Sequence, residues 1–368
     1  MSTTAPATSV SRANNQAYYR QINIAKLGGD PDVQLSLGQW RLANGDPYSG
    51  LRFCQRAAYQ DNRNAMYQVA QCYETGQGTA PDLVQALTWH NRCIRSHTPL
   101  ISGQPDVESL AHTAIERLVQ AVFNQARQGH AEAQRTIGFC YENGIGVADC
   151  KIRAFACYEK AATQQHLPAI CDLGRCLAEG IGARQNRDAA LQTYQFAAER
   201  GDAIAQRCLA LLLPPIASDK AQRLLQAAAR GHDAIAQYEY GRRLLALSPD
   251  NIRAADEWIS GAADKGEPNA LFQEGQWCEQ GLSPGEGFLE AVSYYQEASE
   301  KGHRGATERL LEIFNTTENL RLDPSWRRHV EARMARNSHN PASDDVEMAS
   351  SIPPLEPSMS SQSPSQPS

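Results

Sequence analysis

Residues 131–165 read AEAQRTIGFCYENGIGVADCKIRAFACYEKAATQQ, and this stretch decides the fold. Ala133, Ile137, Cys140 and Tyr141 are spaced by four, three and one, so a helix places them on one face. Beyond Gly144-Ile145-Gly146, a second set follows: Ala154, Phe155, Tyr158, Ala161 and Ala162. It too shares a helical face. The first glycine suits the left-handed residue that closes a helix, and the second a tight turn into the next. The stretch therefore predicts two helices packed through small residues and aromatics, joined by a short turn.

The same punctuation recurs along the chain. Small pairs followed by a turn residue occur at Ala161-Ala162, Ala197-Ala198, Ala227-Ala228, Ala262-Ala263 and Ala298-Ser299, with a weaker copy at Gln125-Ala126. The turn residues are then 129, 165, 201, 231, 266 and 302, in steps of 36, 36, 30, 35 and 36. The glycine pair repeats at Gly76/Gly78, Gly144/Gly146 and Gly180/Gly182. The short step spans Leu211-Leu212-Leu213-Pro214-Pro215, where two prolines make the break instead. A fixed step in the thirties marks stacked helix pairs rather than a sheet or barrel. The expected class is all-α: an α-solenoid of antiparallel helix pairs forming an elongated, curved rod with a groove.

The run Ile137-Gly138, Tyr141, Gly144, Gly146, Val147, Ala154, Tyr158, Ala161, Ala162 resembles the Sel-one-like repeat, a tetratricopeptide-like α-solenoid unit. Ala169 to Gly201 is nearly as close a copy, while Leu37-Gly38 with Ala57-Ala58, and Ala65 to Ile94, are looser. The resemblance spans about residues 31–312, with its first and last copies degenerate. Residues 16–94 are expected to be degenerate N-terminal repeats and 130–312 the main array. Residues 95–129 read as a loop and one long insertion helix with Leu110, Ala114, Leu118, Ala121 and Val122 along its face. Asp323-Pro324 with Trp326, Val330 and Met334 predicts a capping helix within 313–337. Residues 1–15 and the Ser/Pro-rich 338–368 read as disordered.

The chain has 368 residues, with 35 basic against 41 acidic side chains and a net charge of −6. A mildly acidic chain has no general pull toward nucleic acid or anionic lipid, so neither is expected as a partner. No apolar run approaches the roughly 20 residues of a spanning helix, and Met1 to Val10 shows no basic start with an apolar stretch. A cytoplasmic protein with reduced cysteines is expected, with specialised secretion left open.

Nothing in the motifs points to catalysis, and no cofactor or metal is expected. Cys72, Cys140 and Cys176 each lie two residues after position 70, 138 or 174 and read as small buried hydrophobes. Cysteine-rich relatives staple each helix pair with a disulfide; here only Cys140 with Cys150 or Cys157 has the needed placement. His130, His166, His232 and His303 each follow a turn residue and read as helix starters. Layers about a helix diameter apart, roughly 10 Å, keep these histidines from sharing one metal. Trp89, Trp258 and Tyr294, four residues before their small pairs, read as packing aromatics. Trp40 and Trp277 occupy the cysteine slot, favouring core over inner surface.

A curved stack offers an extended concave surface lined by first helices, suited to a peptide or helix. The expected function is a non-enzymatic adaptor binding a protein or peptide partner there. Gln68, Gln134, Arg135, Arg175, Arg207, Glu239 and Gln273 are the candidate contact residues. The resemblance also implies two alternatives: a secreted bacterial effector acting on host proteins, and a β-lactam-hydrolysing cysteine-rich repeat protein.

Overall fold

The computed structural model describes residues 30–96, 106–213, 218–248, 251–282 and 288–316. Every regular element among them is a helix, and there are sixteen. Seven pairs run α1 (Pro31–Ala43)/α2 (Pro47–Tyr59), α3 (Arg63–Thr75)/α4 (Leu83–Arg95), α6 (Ala131–Asn143)/α7 (Lys151–Thr163), α8 (Leu167–Glu179)/α9 (Arg187–Ala198), α10 (Ala203–Leu212)/α11 (Ser218–Arg230), α12 (Ala234–Leu247)/α13 (Ile252–Asp264) and α14 (Pro268–Glu279)/α15 (Phe288–Glu300). Two helices stand outside pairs: α5 (Val107–Arg127) and α16 (Arg304–Thr316). Each helix packs on its sequence neighbours, as a stack requires. The expected capping helix and both termini read as disordered lie outside the described residues.

Short polar side chains start these helices. Asn62 accepts from the Ala65 amide, Asp82 from Gln85, Asn186 from Ala189, Asp202 from Ala205 and Asp233 from Ala236. Each satisfies an amide that the first turn cannot bond, worth about 1 kcal/mol. Of the expected histidine starters, His166 caps α8 through the Ala169 amide, while His130 precedes α6 without a side-chain bond. His232 does something else. It is itself the left-handed residue, at φ 64°, and Asp233 is the cap. The turn residue there is therefore 232 rather than 231, and the buried pair is Ala228-Ala229 rather than Ala227-Ala228. Three consecutive alanines leave the phase open in sequence; Asp233 bonding its own amide back to the Ala228 carbonyl at 3.2 Å fixes it.

In this phase the core slot lies three residues before the small pair, one later than the sequence pattern places it. Cys54, Tyr158, Tyr194, Leu225, Ile259 and Tyr295 fill it, and all are buried. Trp258 and Tyr294 are consequently half-buried neighbours of the slot, whereas Trp89 is buried beside its occupant, His90. Trp277 is core; Trp40, at 51% exposure, is on the surface. The three tyrosines need a glycine opposite: a methyl added at Gly138, Gly174 or Gly275 would sit 2.6–2.7 Å from the Tyr158, Tyr194 or Tyr295 ring.

The second glycine of each turn docks on the previous layer. A methyl at Gly78 would collide with the Pro47 carbonyl at the start of α2, and one at Gly182 with the Lys151 carbonyl at the start of α7. Gly146 meets Ile115 and Val119 of α5 in the same manner. So α5 stands where a second helix would, as a layer that has lost its first helix. Its buried face is Ala111, Ala114, Ile115, Leu118, Val119 and Val122. Leu110 and Ala121, expected on that face, are exposed because the stripe is rotated by one residue.

The stack is not an open rod. Arg52 of α2 reaches Glu297 of α15 across 245 residues of sequence, so the seven pairs wind round until the first meets the last.

Candidate partner-binding surface

Successive first helices are bridged by their own side chains. Gln39 of α1 donates to Gln68 of α3 at 3.4 Å. Between α6 and α8, Arg135 Nε donates to Asp172 Oδ2 at 2.6 Å, and Arg175 grips both Glu142 oxygens at 2.8 Å. Between α14 and α16, Arg309 Nε donates to Glu279 Oε2 at 3.1 Å. These bonds tie first helices directly to one another.

Two of these bridges are one device, set by spacing. Glu142 lies four residues after Gly138 and sixteen before Tyr158, whose hydroxyl donates to it at 2.7 Å. Glu279 stands in the same relation to Gly275 and Tyr295, with the hydroxyl bond at 2.8 Å. In each case one carboxylate ties its own second helix to the arginine of the next first helix. Burial pushes the Glu142 carboxyl up, but the hydrogen bonds and charge of Arg175, helped by Tyr158, outweigh it and hold the group below its ordinary value. A bidentate, largely buried pair of this type fixes geometry more than an exposed pair does. The unit at α8/α9 lacks the device because Ala178 holds the carboxylate position.

In α3/α4 the device is degraded. His90 stands where the others have tyrosine and Ala70 where they have glycine. Glu74 Oε2 is 3.9 Å from His90 Nε2, too far for a hydrogen bond, and Arg117 of α5 takes the other Glu74 oxygen at 2.6 Å. Neither ring nitrogen of His90 has a partner among the described residues. Burial, opposed by Glu74 and reinforced by Arg117, pushes the imidazole pKa down to about 4.

The candidate contact residues divide accordingly. Arg207 is buried, its Nε 3.0 Å from Asp233 Oδ1, so it serves the seam between α10 and α12 and not the surface. Arg135 and Arg175 are spent largely on neighbouring first helices. Gln134 accepts from Gln164 at 2.8 Å, and Glu239 from Arg242 at 2.7 Å. Gln68 and Gln273 are half-buried on α3 and α14. Sequence reasoning missed the carboxylates Glu142, Glu279 and Asp172, although the sixteen-residue interval to the core aromatic was there to find.

All ten cysteines are free thiols, and only Cys150 and Cys157 are not buried. Burial pushes the Cys140 and Cys176 thiols up to about 12. Cys140 is bonded to neither Cys150 nor Cys157. Among the described residues no cluster of His, Cys, Asp and Glu is arranged to hold a metal ion, and no helix is long and apolar enough to cross a membrane.

Four segments match the Sel1 repeat family: residues 63–92, 131–166, 167–202 and 268–303. These are α3/α4, α6/α7, α8/α9 and α14/α15, each with its closing turn. The chain carries four Sel1 repeats. The match at 268–303 corrects the expectation that the last copy is degenerate; the weak copies are α1/α2 and the central α10–α13. Among solved structures, it is similar to c5321, a protective antigen present in uropathogenic Escherichia coli strains and displaying an SLR fold. Identity is 23%, covering 86% of this chain and 71% of that one, with a TM-score of 0.44. It is similar to a Sel1 repeat protein from Oxalobacter formigenes at 21% identity, 72% and 96% coverage and TM-score 0.43. It is also similar to the immunity protein Pa5087 from Pseudomonas aeruginosa at 18% identity, 60% and 86% coverage and TM-score 0.37. No curated protein matches it.

Proposed function

We propose that this protein is a non-enzymatic adaptor that holds an extended peptide or a helix of a partner protein along its inner row of first helices. The observation that supports this reading is the row of first helices, interrupted once where the α5 layer lacks one: α1 with α3, α6 with α8, and α14 with α16 are cross-braced by side chains. A braced row loses little freedom on binding, which favours affinity from many modest contacts. Gln68, Gln134, Glu239 and Gln273 are the side chains we assign to partner contact. Arg135 and Arg175 act chiefly by holding the row in register, with the guanidinium edges that Asp172 and Glu142 leave over as fixed donors.

Site-specific photo-cross-linking tests this. A photoreactive residue at Gln68 or Gln273 should capture the partner, and one at Ile152, which is 72% exposed on the second helix α7, should not. Capture from Ile152 alone would refute the inner-row assignment.

A further inference from the structure

Among the described residues, no apolar cluster spans the contact between the two ends of the array, whereas such clusters fill the seams within it. Arg52, Arg56 and Tyr59 fall at intervals of four and three on α2 and share a face. Glu297, Glu300 and Lys301, at the end of α15 and just past it, do likewise. The two faces are complementary in order. Arg52 Nη2 lies 3.2 Å from both Glu297 oxygens. Arg56 Nε lies 3.4 Å from Glu300 Oε2, with both side chains nearly enclosed. Lys301 Nζ sits 5.7 Å from the centre of the Tyr59 ring, a cation–π distance. Tyr59 in turn meets Trp89 of α4 edge-on at 5.2 Å, so the contact is anchored to the second pair as well.

Seams between consecutive layers are built on apolar clusters, with ion pairs such as Arg207–Asp233 beside them. One cluster joins Leu35 through Ala111 and another Ala255 through Ile313, and the two share no residue. Among the described residues the end contact thus lies between two separate cores, and its side-chain pairs join charges and one ring. Exposed ion pairs are weak and screened by salt, while an enclosed pair such as Arg56–Glu300 depends on exact partnering. A seam of that kind opens without unfolding the layers on either side of it.

We propose that α2 and α15 form a reversible clasp that holds the array as a closed turn. Closed, it limits access to the inner row; open, it lets a partner segment enter from the side. That consequence rests on the adaptor reading, but the clasp does not, and it is tested on the full chain without any partner. The probes are Arg56→Glu, the exchange Arg56→Glu/Glu300→Arg, and ionic strength raised from about 0.1 to about 1 M, which cuts the screening distance from about 10 to about 3 Å. Sedimentation velocity should show the single reversal and the high-salt protein sedimenting more slowly at unchanged monomer mass and unchanged helical circular dichroism. The exchange should restore the wild-type coefficient. An unchanged coefficient for Arg56→Glu, an exchange that fails to restore it, or a concentration-dependent doubling of mass would each overturn the clasp. Should the reversal unfold α2, a milder probe decides. In Arg52→Lys, a carbodiimide should link position 52 to Glu297, and the absence of that linked peptide pair overturns the proposal.

Discussion

Replacing His90 with tyrosine is instructive only when Ala70 is replaced as well. In the units around Tyr158, Tyr194 and Tyr295, a methyl group twenty residues upstream would lie 2.6–2.7 Å from a ring carbon. Ala70 carries that methyl, so His90→Tyr alone forces an overlap inside a packed seam. Overpacking of this size costs about 1–3 kcal/mol. Ala70→Gly alone costs about 1 kcal/mol of helix propensity. Combined, the overlap disappears and a phenol reaches toward Glu74, as Tyr158 does toward Glu142 at 2.7 Å. A hydrogen bond to a charged group adds about 1.5–3 kcal/mol. The double variant should therefore be more stable than the sum of the singles by about 2 kcal/mol or more. Urea unfolding of the four proteins, followed by circular dichroism, measures this coupling. Additivity within about 0.5 kcal/mol would refute the claim that residues 70, 74 and 90 form one packing unit.

His90 also predicts a pH effect. Its pKa is about 4 folded against 6.5 free, so the unfolded chain binds more protons between those values and stability falls as pH drops through that window. The full loss is about 3 kcal/mol, and it should be absent from the Ala70→Gly/His90→Tyr protein across pH 6.5 to 5. Glu142→Gln, which takes from the largely buried Arg175 its bidentate carboxylate, should cost about 3 kcal/mol in chemical denaturation. Glu308→Gln, in an exposed pair with Arg304, should cost about 0.5 kcal/mol or less; equal losses would contradict the bracing role. Ala198→Trp should overpack the α9–α10 seam by about 1–3 kcal/mol, read as a lowered melting temperature. Alkylation of the native protein should mark Cys150 and Cys157 first, and equally fast labelling of Cys140 would place it outside the core.

The helix pairs were legible because their punctuation is local. The glycine pairs at 144/146 and 180/182 and the alanine pairs at 161/162 and 197/198 each fix a turn within a few residues. Phase was lost where local signals were degenerate. Ala227-Ala228-Ala229 accepts two registers, and only the Asp233 cap separates them. The core slot was misread by one residue because Trp258 and Tyr294 are larger or as large as their buried neighbours Ile259 and Tyr295, and size alone does not report which side of a helix faces the seam. The bracing set Glu142–Tyr158–Arg175 couples positions 16 and 33 residues apart, beyond any helical periodicity. The contact of Arg52 with Glu297 depends on the summed rotation of every layer between them, which no short motif encodes.

That summed rotation is what the account stands or falls on, and small-angle scattering from the wild-type protein reads it most directly. Layers wound into one turn predict a pair-distance distribution with a single broad, nearly symmetric maximum. A sharp early maximum with a long, linearly falling tail, the profile of an extended rod, would contradict it.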